Sequence, residues 1–440
     1  MKKNNNNKVN LISIAFSNHY SFDKKQKIFF VPDTKYSTSN ENWNLIKCGS
    51  NEILPVTIFY GANASGKSNL ISVFHKVKAF LNNSKKVSSK LRGYRPFALN
   101  EKSKKESSLL ELELSVNNDI VSYSLLFDAN TILSETLSLN KKKLYKKDKG
   151  SVVISDHTVS EYVINEVKDT LSRKKDVLIL ELLAIKECEP YINIYNVFKN
   201  SFIRFESLQD NKELLEELYQ NKESWVKISE WLQSADFGIS HFEIEKREIS
   251  AEKRQLKKLF LEKLQTIPQI RISEDEVEDT NESIYEYILK FYHKGEDGKE
   301  YPLSLGVESK GTLIFFDMLV KLYPAFLNGG LLFDDEIDAS LHPLLVKFLI
   351  QAFNNPKINK GGAQLICTTH NSNLLKKDVL TRDEVWLVEK DLEGHSSVYP
   401  LSQFTNIRNN IDFEKWYLQG RFGGVPLLLD ITDLEELMKE

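Results

Sequence analysis

Cysteine is scarce: Cys48, Cys188 and Cys367 are the only three, no two of them are spaced as CxxC, and the total is odd. That argues against a disulfide framework and against a zinc site. Long apolar runs are also missing. No stretch reaches the roughly 18 residues that a spanning helix needs, and the start MKKNNNNKVN lacks the apolar core of a signal peptide. A cytoplasmic protein with no membrane segment is the expectation. Neither sign of charge dominates, the formal net charge being -3, which argues against a generally basic nucleic-acid binder while leaving local patches open. Sustained heptads are absent, excluding a long coiled-coil rod; there is no internal repeat, and the Asn-rich start is the only low-complexity piece. What is present is 440 residues with 41% hydrophobic and 28% charged, an ordinary soluble composition with material for a sizeable core. The length admits two or three domains, or one large α/β unit with an insertion.

Residues 9 to 31 hold two β-rich runs around a polar turn, an opening hairpin or adjacent strands. Val56–Tyr60 (VTIFY) is a short apolar strand that stops at Gly61, and Ser68 to Asn82 return to helical spacing. LLELELSV from Leu109, DIVSYSLLFD and TILSETLSLN alternate as an antiparallel meander would. The basic cluster KKKLYKKDK (141–149) reads as a solvated hairpin tip, with a phosphate-backbone patch as the alternative. From about 157 to 265 the pattern turns mostly helical: EYVINEVKDTL, KELLEELYQNKESWVKISEWLQ and SAEKRQLKKLFLEKLQ carry apolar residues at three and four spacing. ISEDEVEDTNES (272–283) reads as an exposed linker, and IYEYILKFYH resumes a strand. GLLF (330–333) and QLIC (364–367) read as buried parallel strands, with polar residues at the ends where open α/β sheets place ligands. The expected division is an N-terminal lobe over 1–155, a mostly helical insertion over 156–283, a C-terminal lobe over 284–400 and a tail over 401–440.

Four elements carry chemistry. Gly61-Ala62-Asn63-Ala64-Ser65-Gly66-Lys67-Ser68 fits GxxxxGK[ST], between the strand and the helix that the motif requires. Glycines let successive N–H groups face phosphate, Lys67 adds a charge at the β/γ oxygens, and Ser68 can ligate Mg²⁺; Asn69 completes the phosphate-binding run. In LLFDDEIDASLHP an apolar strand delivers Asp334, Asp335 and Glu336 to its tip, Asp335 for the metal shell and Glu336 to orient or deprotonate the attacking water. CTTHN places His370 beyond another strand, where it could contact a γ-phosphate. In LSLGVESKGTLIFFDML, Ser309, Lys310, Gly311 and Thr312 precede an apolar helix; this is an anion site at a helix N-terminus or an ordinary N-cap.

Taken in order, GANASGKS, ESKGT, LLFDDE, DASLHP and TTH resemble the head domain of ABC-type ATPases, in the branch containing RecF, SMC and Rad50 proteins. More closely, the set is similar to the compact ATPases of prokaryotic defence operons, the RloA and AbiLi type, and to the ATPase of the PARIS system. The resemblance covers most of the chain, from strands ending in NHYSF to a tail reading YLQGRFGGVP, and it implies an α/β P-loop NTPase head with a mixed sheet and a mostly helical insertion. It implies ATP and Mg²⁺ as ligands and a head-to-tail dimer. Ser309 and Gly311 of one chain, with Lys310 beside them, would meet the γ-phosphate held by Gly61–Ser68 of the other, with Asp338 across the same interface. Two departures stand out. No glutamine occurs between Ser68 and Gln209, where such heads carry one that contacts metal and γ-phosphate, and the signature is ESKGT instead of LSGGQ.

The resemblance implies an ATPase whose nucleotide state controls an effector from the same operon, a TOPRIM-like or RloB-like nuclease or toxin, in antiphage defence. No second catalytic set is recognisable in this chain. The alternative is a DNA-repair ATPase that clamps duplex DNA, with Lys141–Lys149, Lys85, Lys86, Arg92 and Arg95 as phosphate contacts weakened by salt. A transporter subunit is a third class, which the insertion and tail do not suit.

Overall fold

The computed structural model describes residues 8–33, 45–81, 91, 93–204, 212–235, 238–252, 255, 256, 259, 260, 263, 285–404 and 411–426. Two units emerge, Met1–Phe205 with Pro324–Glu440, and Glu206–Tyr323. In chain order the first opens with β1 (Val9–Ser17), β2 (Gln26–Phe29), β3 (Ile46–Cys48), β4 (Asn51–Ile53), β5 (Val56–Gly61) and α1 (Lys67–Leu81). There follow β6 (Ser108–Val116), β7 (Asp119–Phe127), β8 (Ile132–Leu139), β9 (Lys142–Asp148), β10 (Ser151–Ile154), α2 (Glu161–Arg173), α3 (Ile179–Ile185), α4 (Tyr191–Asn200) and β11 (Phe202–Arg204). The second unit holds α5 (Lys212–Gln220), α6 (Lys222–Ser234), β12 (Ile239–Glu248), β13 (Tyr285–Lys294), β14 (Glu300–Leu303) and the start of α7 (Lys310–Asn328). The first then resumes with β15 (Leu331–Asp334), α8 (Pro343–Phe353), β16 (Gln364–Thr368), β17 (Val385–Lys390), β18 (Ser396–Pro400) and α9 (Phe413–Leu418).

The site-bearing sheet has the order β11-β15-β16-β5-β17-β18, parallel except for the antiparallel edge strand β18. Its inner strands are apolar because they are covered on both faces: every residue of β5 and β16 is buried, as are Leu331, Leu332 and Phe333 of β15. The register sets Asp334 beside Cys367 and Thr368 beside Phe59, so β15, β16 and β5 end together. Helix α1 lies against these strands through Phe74, whose ring stacks on Phe333 at 4.6 Å.

The meander is an antiparallel sheet ordered β10-β9-β8-β7-β6-β1-β2. Strand β7 alternates as expected, burying Val121, Tyr123, Leu125 and Phe127. Tyr123 packs on Phe198 of α4 with ring centroids 5.3 Å apart. Glu135, fully buried in β8, accepts hydrogen bonds from the Ile179 and Leu180 amides at the start of α3 and from the Tyr123 and Tyr145 hydroxyls. A carboxylate there satisfies amides that a helix start leaves without partners, yet burial still pushes its pKa up.

The basic cluster differs from the expected hairpin tip. Lys142–Asp148 is a sheet strand, β9, with Leu144, Tyr145 and Lys147 buried, and only Asn140–Lys141 and Lys149–Gly150 take left-handed turn conformations. Lys147 pairs in register with Glu135, which gives a lysine-rich strand its inward charge. Within 156–283, α2 to α4 belong to the first unit, and the second adds a strand, β12, to its helices. Lys85, Lys86, Arg92 and the linker 272–283 lie outside the described residues, as does half of the run SAEKRQLKKLFLEKLQ. Among the described residues no helix is long and apolar enough to cross a membrane.

In the second unit β12, β13 and β14 form an antiparallel sheet. Phe242 and Phe291 bury their rings against Phe316 of α7, at 4.8 and 5.0 Å. These aromatic contacts fix the helix that the ESKGT run starts.

Candidate functional site

Strand β5 hands over to α1 through the loop 61–66. Gly66 has φ +115, and a Cβ there would fall 2.5 Å from the Ser396 hydroxyl and 2.8 Å from that of Ser21, so a side chain is excluded on both counts. Ala64 is also left-handed, at φ +61. Lys67 folds its ammonium back over the loop and donates to the Gly61 and Ala62 carbonyls, both at 2.9 Å. Burial lowers the Lys67 pKa, and the carboxylates of Glu336, Asp335 and Asp338 pull it back up. The Ser65 hydroxyl is buried with no partner. An orphaned buried hydroxyl, in a loop over which an ammonium spends two of its three protons on carbonyls, suits an oxygen-rich anion. Ser68 is exposed in the first turn of α1 and Asn63 is exposed in the loop. Asn69 turns its amide to the Ser21 hydroxyl at 2.9 Å, so its side chain belongs to the contact with the β1–β2 turn.

The acids arrive at the end of β15. Glu336 holds φ +63, a left-handed conformation rare for a residue with a Cβ. The Thr368 hydroxyl holds it there, accepting from the Glu336 amide and donating to Asp335 Oδ1, both at 2.7 Å. The neighbouring Thr369 hydroxyl donates to Asp338 Oδ1 at 2.7 Å and accepts from the Asn371 amide at 3.0 Å. The His370 amide reaches the same Asp338 oxygen at 3.4 Å, and His370 Nε2 lies 3.9 Å from Glu336 Oε1. Gly61–Asn69, Asp335, Glu336, Asp338 and His370 thus lie beyond the carboxyl ends of the inner strands β5, β15 and β16. Thr368 and Thr369 were not singled out in the sequence; a hydroxyl pair ending a fully buried strand was the available signal, because such groups need partners.

Ser309, Lys310 and Gly311 lie in the second unit at the start of α7. The Ser309 hydroxyl accepts from the Thr312 amide at 3.1 Å and lies 2.8 Å from the Thr312 hydroxyl, so in this chain it acts as the N-cap. Glu308 before it meets His293 Nε2 of β13 at 2.7 Å. Ser309 and Lys310 are exposed.

Among the described residues no group of three or more His, Cys, Asp or Glu side chains could hold a metal ion. A cation at Ser68 and Asp335 would take its other oxygens from phosphate and water.

Residues 56–376 match the family described as "AAA domain, putative AbiEii toxin, Type IV TA system". No curated protein matches the chain. Among solved structures, an Smc head bound to the C-terminal winged-helix domain of ScpA is 13% identical at a TM-score of 0.39, covering 89% of this chain and 97% of its own. An Smc head with an extended coiled coil, bound to the C-terminal domain of ScpA and derived from Pyrococcus furiosus, is 14% identical at a TM-score of 0.40, covering 94% and 99%. The family match spans most of the chain, which belongs to this AAA family.

Proposed function

Proceeding from that membership, we propose that the chain is an ABC-type ATPase that binds ATP with Mg²⁺ and hydrolyses it. The observation that carries this reading is the shared carboxyl end of β5, β16 and β15, where two threonines tie the acids to the His370 segment beside the phosphate loop. Gly61–Gly66 would surround the β-phosphate with backbone amides, and Lys67 would add its charge at the β/γ oxygens. Bound Mg²⁺, held through Ser68 and Asp335, would neutralise charge on those oxygens. Glu336, exposed and fixed through its own amide, would take the proton of the attacking water, and His370 would donate to the γ-phosphate. Ser309, Lys310, Gly311 and Asp338 would complete the site of a second copy in a head-to-tail dimer, which larger oligomers could repeat.

In the cell this ATPase would act in the cytoplasm as a sensor in antiphage defence, its nucleotide state controlling a nuclease or toxin from the same operon. The toxin–antitoxin wording of the family description supports that reading, as does the lack of a second catalytic set in the sequence. The full chain should release phosphate from ATP in a Mg²⁺-dependent way, and Lys67→Ala should lose nucleotide binding. Tight ATP binding by that variant would remove the assignment.

A further inference from the structure

The tail run YLQGRFGGVP takes no part in the chemistry above, yet it is built against the candidate site from behind. Asp412 caps α9 by accepting from the Lys415 amide at 3.1 Å, and a tight turn over Gly420–Gly424 follows. On one side the segment meets the residues after His370: the Ser372 hydroxyl donates to Glu414 Oε1 at 3.2 Å, with Lys376 Nζ 3.9 Å from the other oxygen. On the other side it meets β17, the neighbour of the strand that leads into the phosphate loop, and β18 beyond it. Glu389 of β17 accepts from the Gly424 amide at 2.7 Å, the Tyr399 hydroxyl of β18 donates to the Phe422 carbonyl at 3.0 Å, and the Tyr417 hydroxyl closes the turn on the Gly424 carbonyl at 3.0 Å. A Cβ on Gly424 would lie 3.7 Å from the Cα of Gly61.

Tyr60, buried one residue before Gly61, joins the two sides. Its hydroxyl donates to the Asn371 carbonyl at 3.2 Å, and its ring meets that of Tyr417 edge-on at 5.6 Å. Gly423 leaves no room for a side chain: at φ +75, an added Cβ would fall 2.0 Å from Glu389 Oε1 and 2.4 Å from the Tyr399 hydroxyl. A segment serving only to cover apolar surface would not need three hydrogen bonds and an ion pair to β17, β18 and the residues after His370.

We propose that Asp412–Gly424 is a positioning element of the ATPase centre, fixing the segment after His370 to β17, β18 and Tyr60, next to the strand from which the phosphate loop springs. Turnover depends on it, and nucleotide binding does not. The proposal rests on the ATPase reading above, and a wild-type chain without Mg²⁺-dependent hydrolysis overturns both together.

The test uses the full chain with Gly423→Ala, Glu389→Ala and Glu389→Gln, measuring binding of a fluorescent ATP analogue, phosphate release and the thermal midpoint. In the two alanine variants kcat should fall by about tenfold or more, the size of effect that small misplacement of reacting groups produces. The lost contacts should lower the midpoint by a few degrees, yet nucleotide affinity should stay within about twofold, since a loss confined to kcat marks an interaction used in the transition state. Glu389→Gln keeps an oxygen acceptor for the Gly424 amide and should recover most of the rate. If Gly423→Ala does not fold, the Glu389 pair alone decides. Wild-type turnover in Glu389→Ala overturns the proposal, and so does a parallel fall of affinity, rate and thermal midpoint, the mark of a structural role alone.

Discussion

Replacing Thr368 by valine keeps the shape of the side chain and removes the hydroxyl that serves Glu336 and Asp335 at once. Thr368 is fully buried, so water does not easily take the place of its oxygen. The Glu336 amide is left without its acceptor, which costs about 1–3 kcal/mol for a buried donor. Asp335 is only half-buried, and solvent offsets most of its loss. The sum is about 2 kcal/mol, or a fall of a few degrees in thermal midpoint. The larger effect falls on the rate. Glu336 sits at φ +63, and holding such a residue in the left-handed region costs on the order of 1–3 kcal/mol unless its surroundings enforce it. Without the 2.7 Å tie from its amide, the backbone relaxes and the carboxylate leaves its place. We expect kcat to fall about 10- to 100-fold while nucleotide affinity is kept, and Thr368→Ser, which retains the hydroxyl, to stay near wild type. Phosphate release and thermal melting on all three proteins make the comparison. A Thr368→Val enzyme with wild-type kcat would refute the reasoning, because Glu336 would then need no such anchor.

Further outcomes follow from the same geometry. Glu336→Gln should bind ATP, turn over poorly and shift the chain to a dimer on size exclusion with ATP; unchanged turnover would remove Glu336 from the role of base. Burial pushes the Glu384 carboxyl up to about 8 even though Thr381 donates from both its amide and its hydroxyl and Asn354 adds a third bond. The folded chain therefore holds a proton there that the unfolded chain releases near the ordinary glutamate value, so this group's contribution to stability falls as pH rises from about 5 to 8. The thermal midpoint of wild type should drop relative to that of Glu384→Gln over that range, and parallel pH profiles would contradict it. For the cellular role, the product of the adjacent gene should co-purify with the chain and change activity with nucleotide state.

The loop between β5 and α1 was legible because few other uses demand glycine, glycine, lysine and serine at that spacing between a strand and a helix. Strands β15 and β16 were legible as apolar runs because they are buried on both faces. Strand β9 was not, since lysines at 142, 143, 146 and 147 hide its period, and Lys147 is buried opposite Glu135, a partner in another strand. Strand β12 was hidden for a related reason: a register shift between Ile239 and His241 and the charged run Glu245–Glu248 leave its alternation only Phe242 and Ile244, and its pairing with β13 is not local in sequence. Thr368 and Thr369 work through partners some thirty positions away, which spacing along the chain cannot display.

The central claim, that the site is completed in trans, is tested most directly by mixing two inactive chains. Lys67→Ala damages the phosphate loop and leaves Ser309 intact; Ser309→Arg does the reverse. In a head-to-tail dimer a mixed pair regains one intact composite site, so an equal mixture should recover about a quarter of the wild-type rate. A mixture as inactive as its parents, or a Ser309→Arg chain active alone, would contradict the account.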